Sequence, residues 1–175
     1  TYYRKKIELH SPGTDIDKKI CDKKKELENG KLIYPRVELV VTTRCTLKCS
    51  GCSHMMPLYK KHREFQAEDL ISMLESFLNL VDECICINIT GGEPLLYPEL
   101  YKIIDFITKQ RKILFVEITT NGTISLKQDV LDKIKKENTM VYISNYACVD
   151  NACEVAALLK SNGITCLYES EGQWF

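Results

Sequence analysis

From residue 35 onward the chain alternates between short apolar, β-branched runs and stretches whose apolar residues recur at helical spacing. That alternation is the strongest constraint on the fold, because strands joined by helix-length connections pair in parallel through right-handed βαβ crossovers. The runs over 37–41, 84–90, 113–120, 140–146 and 164–168 read as five strands. Between them, Leu70, Ile71, Leu74, Phe77, Leu78 and Val81 predict a helix over 68–81. Leu100, Ile103, Ile104 and Ile107 predict a second, led by Pro98 in its first turn, and Val130, Leu131 and Ile134 mark a third. Asn151 is placed to cap a fourth through Val155, Leu158 and Leu159, with Gly163 as its stop. The class is α/β with a parallel sheet, open or curled into part of a barrel, and such sheets bind ligands at the C-terminal ends of their strands. The distinctive segments 45–52, 91–94, 121–122 and 144–145 all fall at that edge.

Ahead of this core, residues 1–34 read as an extension whose segment 15–29 forms a lysine-rich surface helix, with Ile16, Ile20 and Leu27 on its apolar side and Gly30 as a stop. Residues 35–175 form the core domain. Lys plus Arg equals Asp plus Glu at 24 each, so no global field draws nucleic acid or an anionic membrane to the surface. No apolar run reaches the roughly 20 residues that span a bilayer, and a signal peptide's apolar core is missing, so the expected location is cytoplasmic. Nine cysteines, an odd number with three in one loop, fit metal or redox chemistry better than a disulfide framework.

The loop after the first strand reads Cys45-Thr46-Leu47-Lys48-Cys49-Ser50-Gly51-Cys52, three thiols close enough to reach one metal centre. Four ligands close most iron-sulfur and structural zinc sites; this motif supplies three, with Cys84, Cys86, Cys148, Cys153 and Cys166 as candidates for a fourth. A cluster held by three cysteines keeps one iron open for a reactive cofactor. The second strand ends in Gly91-Gly92-Glu93-Pro94, where paired glycines let a ligand approach the backbone without a Cβ in the way.

The CxxxCxxC spacing after the first strand, joined to this GGEP segment, resembles the signature of the radical S-adenosylmethionine (radical SAM) superfamily. The resemblance covers roughly residues 36–169. It implies a parallel (βα) partial TIM barrel with about five of six βα units visible, a 4Fe-4S cluster on Cys45, Cys49 and Cys52, and S-adenosylmethionine chelated by the open iron. In that family, reductive cleavage of the cofactor gives a 5′-deoxyadenosyl radical that abstracts hydrogen from substrate. The electron comes from a flavodoxin or ferredoxin type donor. Gly91, Gly92, Glu93 and Pro94 would bind the methionyl amino group. Asn121 matches the family's TNG turn, and Ser144, favoured over its neighbour Asn145, would meet the ribose or carboxylate. Many members carry an aromatic residue before the third cysteine; here Gly51 stands there, so its backbone alone is left to meet the adenine.

Three further features have plain readings. Lys60, Lys61, His62 and Arg63, in the long connection 53–66, read as an exposed basic stretch that a loop of this length also allows to cover substrate. Glu117, ionisable within an apolar strand, faces either the site or a solvent gap on the helix side. Cys148 and Cys153 read as ordinary packed or free thiols. The chain opens without Met and stops just after the fifth strand, so the expectation is a core cut short on its C-terminal side. The main reading is an enzyme acting on a small molecule or peptide, with peptide or sugar maturation as examples. Its rivals are a structural iron-sulfur or zinc module and an inactive fragment.

Overall fold

The computed structural model describes residues 30–146 and 151–170; the expected surface helix over 15–29 lies outside the described residues. The alternation read from the sequence is present: β1 (Ile33–Thr42), α1 (Ala67–Leu80), β2 (Glu83–Gly91), α2 (Leu100–Thr108), β3 (Ile113–Thr120), α3 (Gln128–Ile134), β4 (Thr139–Asn145), α4 (Ala152–Ser161) and β5 (Thr165–Ser170). The strands form one sheet in chain order, each parallel to the next. No helix among the described residues is long and apolar enough to cross a membrane.

Alternate side chains of a strand point to opposite faces, and here the two faces differ in chemistry. Leu39, Val41, Ile87, Ile89, Val116, Ile118, Val141 and Ile143 form the helix-covered face with Leu70, Leu74, Ile103, Ile104, Ile107, Leu131, Val155 and Leu159. Each such side chain, buried completely, contributes about 1.5–3 kcal/mol relative to exposure, which makes this layer the main source of stability. The opposite face is polar. Register sets Arg36 beside Cys86 and Glu38 beside Asn88, then Asn88 beside Glu117, and Thr119 beside Tyr142.

Element boundaries follow local chemistry. In α1, Leu70, Leu74 and Leu78 recur every fourth residue on the buried side, and Glu68 and Asp69 lie in the first turn, where carboxylates oppose the positive end of the helix dipole. Val81 turns extended just after it. Pro98 precedes α2 instead of entering it, since Glu99 is the residue at the cap. At α4 the expected side-chain cap is not made: Asn151 is itself helical in backbone angle, and its Nδ2 donates to the Gly122 carbonyl (3.4 Å) and Ser125 Oγ (3.5 Å). Asn151 thus ties the helix start to the turn after β3. Gly163 ends α4 as expected, with φ +69° and its amide donating to the Lys160 carbonyl at 3.0 Å. Two single 3-10 turns, Met56–Leu58 and Pro94–Leu96, are additions to the sequence reading.

Candidate functional site

At the C-terminal ends of the strands a cavity of about 400 Å³ opens onto the polar face. Its walls include Cys45, Cys49, Gly51, Cys52, Gly91, Gly92, Asn121 and Ser144, so eight of the ten residues singled out from sequence share one space. Glu93 and Pro94 stand behind the wall, and both are buried.

The cysteine loop is held by its own amides. Cys45 Sγ accepts from Leu47 N–H (3.4 Å) and Asn121 Nδ2 (3.6 Å), and Cys52 Sγ accepts from Met56 N–H (3.4 Å). Burial pushes the Cys45 thiol up, against the Leu47 amide that favours the thiolate; nearby Glu93 pushes it further up. Among the described residues no three Cys, His, Asp or Glu side chains converge as ligands of a single ion. The thiols instead border a space larger than one ion.

The other described cysteines lie away from that wall. Cys84 is buried, with its thiol directed to the Cys86 carbonyl, and burial raises its pKa to about 11. Cys153 is exposed on α4 with its sulfur 3.0 Å from Tyr168 OH, and Cys166 on β5 points to the Ala156 carbonyl. Cys148 lies outside the described residues.

The glycine pair has a different reason from the one its sequence suggests. A Cβ on Gly91, whose φ is +141°, would lie 2.4 Å from the Thr42 carbonyl oxygen, and one on Gly92 would lie 2.0 Å from that of Arg44 and 3.0 Å from Cys45 Cβ. The missing side chains therefore make room for the chain entering the cysteine loop. Gly92 N–H donates to Thr42 O (2.9 Å) and Glu93 N–H to Arg44 O (2.7 Å), so the end of β2 is bolted to that loop.

Glu93 is fully buried and its carboxylate accepts from Leu95 N–H (3.1 Å), Thr120 Oγ1 (2.8 Å) and Asn121 N–H (2.9 Å). Burial raises its pKa, while those donors pull the other way. The side chain joins β2 to the turn after β3 and does not reach the cavity. In that turn Asn121 donates to Thr46 Oγ1 (3.0 Å) and accepts from Thr123 N–H (3.0 Å), tying it back to the cysteine loop.

Deeper in the cavity are Arg36, Glu38 and Asn88, which sequence reasoning passed over, and beside them Glu117, for which it left two facings open. Arg36 Nη2 and Glu117 Oε1 meet at 2.7 Å, with side chains only 10% and 2% exposed. Burial works against the Arg36 guanidinium, but the Glu117 hydrogen bond and charge outweigh it and hold its pKa above the ordinary arginine value. Arg36 Nε also lies 3.7 Å from Glu38, and Thr119 Oγ1 donates to Asn88 Oδ1 at 2.8 Å. Glu117 therefore faces the cavity side rather than a helix-side gap. The signal was present: Arg36 and Glu38, Asn88 and Thr90, Glu117 and Thr119, and Tyr142 and Ser144 each occupy alternate positions in an apolar strand. Tyr142 and Tyr146 also line the cavity, giving it aromatic surface that Gly51 does not supply. The connection 53–66 starts in the cavity wall, which Ser53, His54 and Met56 help to line, and its far end is pinned alongside β1: Thr43 N–H donates to Arg63 O (2.9 Å), Phe65 N–H to Val41 O (3.3 Å), and Glu64 bridges Thr42.

A parallel strand-helix sheet with three thiols at the mouth of its polar face defines a partial barrel with a thiol-lined cavity at its strand ends. The model of the Radical SAM superfamily matches residues 39–167, and the chain belongs to that superfamily. It is 33% identical over 162 residues to the GTP 3′,8-cyclase of Campylobacter lari, covering 77% of this chain and 48% of the cyclase. The cyclase of Campylobacter jejuni subsp. doylei is 38% identical over 96 residues, 53% of this chain and 28% of its own. The chain thus spans about half, or less, of the length of these curated relatives. In fold it is similar to Streptococcus suis SuiB bound to S-adenosylmethionine, with TM-score 0.65 and 19% identity over 83% of this chain and 36% of SuiB. It is also similar to BtrN in complex with AdoMet and 2-DOIA, with TM-score 0.58 and 20% identity over 79% and 56%.

Superfamily members use a 4Fe-4S cluster and S-adenosylmethionine. The residues present fit both. Three soft thiolate donors suit iron-sulfur ligation, no fourth cysteine lines the cavity among the described residues, and the adjoining space is in the range of small-molecule pockets.

Proposed function

We propose that this chain holds a 4Fe-4S cluster on Cys45, Cys49 and Cys52 and cleaves S-adenosylmethionine reductively to abstract hydrogen from an organic substrate. The observation that carries this reading is the three-thiol wall opening onto one cavity shared with Gly91, Gly92, Asn121 and Ser144. When bound, the reduced cluster and S-adenosylmethionine together supply a 5′-deoxyadenosyl radical. The chain's own residues bind and orient. The backbone at Gly51 is available to the adenine, Tyr146 offers aromatic surface for stacking in the same cavity, and the Gly91–Gly92 strand end takes the methionyl amino group. Ser144 offers its hydroxyl to the ribose or carboxylate. Glu93 and Asn121 act one step back by fixing the cysteine loop against β2 and β3.

The substrate lies deeper, against Arg36, Glu38, Asn88 and Tyr142. It is a small molecule or a peptide. A triphosphate such as that of GTP would meet one Arg or Lys among the described lining residues, Arg36, and Glu117 already engages it. That balance favours a neutral or zwitterionic group in this part of the cavity. The electron comes from a flavodoxin or ferredoxin type protein, and an oxygen-sensitive centre of this kind suits the cytoplasm.

The test is anaerobic reconstitution with iron and sulfide, followed by dithionite and S-adenosylmethionine. The expected result is four irons per chain, a cluster signal that shifts on adding the cofactor, and 5′-deoxyadenosine above a Cys45→Ala control. A fully loaded cluster giving neither the shift nor the product would favour an inert metal module instead.

A further inference from the structure

The proposed reaction requires one electron to enter from outside, and the chain presents a surface suited to deliver it. Directly after Cys52 comes a tight turn whose amides clasp that cysteine: Met55 N–H donates to Cys52 O (3.0 Å) and Met56 N–H to Cys52 Sγ (3.4 Å). Met56 is buried beneath the turn, whereas Met55 and Leu58 are 62% and 74% exposed and Tyr59 is exposed beside them. Met55 holds a left-handed backbone, φ +54°, an uncommon conformation for a non-glycine residue. The apolar side chains thus stand outward on a fixed turn, one hydrogen bond from a cluster thiol.

The next residues, Lys60, Lys61, His62 and Arg63, are all exposed. The segment is anchored rather than loose, since Arg63 N–H donates to Thr43 Oγ1 (2.7 Å) and Arg63 O accepts from Thr43 N–H (2.9 Å). The neighbouring carboxylate, Glu64, is taken up by Arg44 at 2.8 Å and does not neutralise the run. In a chain whose formal net charge is zero, this is a local positive surplus.

We infer that the turn at Met55–Tyr59 together with Lys60, Lys61 and Arg63 is the docking surface for a small acidic one-electron carrier protein. The inference rests on the proposed cluster at Cys45, Cys49 and Cys52. The carrier gives up one electron and the cluster gains it, with no bond made or broken between the proteins. Apolar contact at Met55 and Leu58 brings the carrier's redox group next to Cys52. The basic run steers an acidic partner into that pose and gives a fast, salt-sensitive association typical of charge-guided encounters. A small contact area suits a partner that must leave after each electron.

The experiment uses a reduced acidic flavodoxin as probe and two variants, Lys60→Glu/Lys61→Glu/Arg63→Glu and Leu58→Glu, all at exposed side chains. In stopped flow at low salt, the triple variant should be reduced by flavodoxin at least about tenfold more slowly, with added salt no longer slowing the reaction, whereas reduction by dithionite and iron content stay at wild-type values. Titration of flavodoxin into the cluster-free chain should show the same loss of affinity, so this arm decides even if no cluster forms. Unchanged flavodoxin affinity and rate in both variants would overturn the inference. So would a defect confined to substrate binding or to association with another segment of the same protein.

Discussion

The glycine and glutamate of the GGEP segment show how a residue's role can differ from the reason a sequence suggests for it. Gly92 invites the reading that a ligand needs the space of its side chain, but that space belongs to Arg44 O and Cys45 Cβ. Gly92→Ala is therefore expected to disturb the cysteine loop itself: a Cβ within 2.0 Å of a backbone oxygen forces the strand end and loop apart. Iron content after reconstitution should fall along with S-adenosylmethionine binding. Gly30→Ala, which meets nothing within 4 Å, should cost only the strain of its φ of +80°, about 1 kcal/mol, and leave iron content unchanged. Equal iron content in the Gly92 and Gly30 variants would refute this account. Glu93→Ala removes the acceptor of three donors, those of Thr120 and Asn121 buried, without touching the cavity, and each buried donor left unsatisfied costs about 1–3 kcal/mol. Urea unfolding should show a lower midpoint, with the cysteine ligands all still present. The cysteines and glycines were legible because their spacing is itself chemical information. The partners of Glu93 were not, since Thr120 and Asn121 reach it only once β2 and β3 lie side by side.

Strands and helices were legible to within a few residues wherever periodicity was strong, and less so where a side chain had a choice of partners. β3 matches its predicted range because Ile113 and Thr120 bound a run with no competing signal, whereas Asn151 passes over its expected capping role for Gly122 and Ser125, a tertiary contact invisible to local pattern. The polar face of the sheet was underread for the same reason. Arg36 on β1 and Glu117 on β3 are separated by β2, and only the parallel order of three strands makes them a pair. Their bridge gives an element-level test. Glu117→Leu leaves the Arg36 guanidinium buried with the more distant Glu38 and the Cys86 sulfur as its described partners, and breaking a buried pair in this way costs about 3–5 kcal/mol. The double variant Arg36→Met/Glu117→Leu should recover most of that loss, because an apolar pair of similar size needs no partner charge. Chemical denaturation of the four-member cycle measures the coupling. Additive losses would mean that the two side chains do not stabilise the sheet through each other.

At the scale of the whole molecule, the apolar layer and the thiol site are spatially separate. The main core lies between the sheet and α1 to α4, and the cysteine loop contributes to it only the partly buried Leu47. A second, small cluster of Cys86, Phe115 and Met140 closes the opposite end of the polar face from the thiols. This arrangement distinguishes a cofactor-binding enzyme scaffold from a metal-stapled module, in which metal binding and folding are the same event. The triple variant Cys45→Ala/Cys49→Ala/Cys52→Ala, free of iron, should therefore keep its far-ultraviolet circular dichroism and unfold in a single cooperative transition. Loading the wild-type chain with iron and sulfide should raise its thermal midpoint relative to that variant, because a group that binds only the folded state stabilises it by mass action. The gain adds to a fold already present. An apo chain that is unstructured and folds only on metal addition would place the thiols at the centre of the fold's stability, and would give the structural-module reading the stronger case.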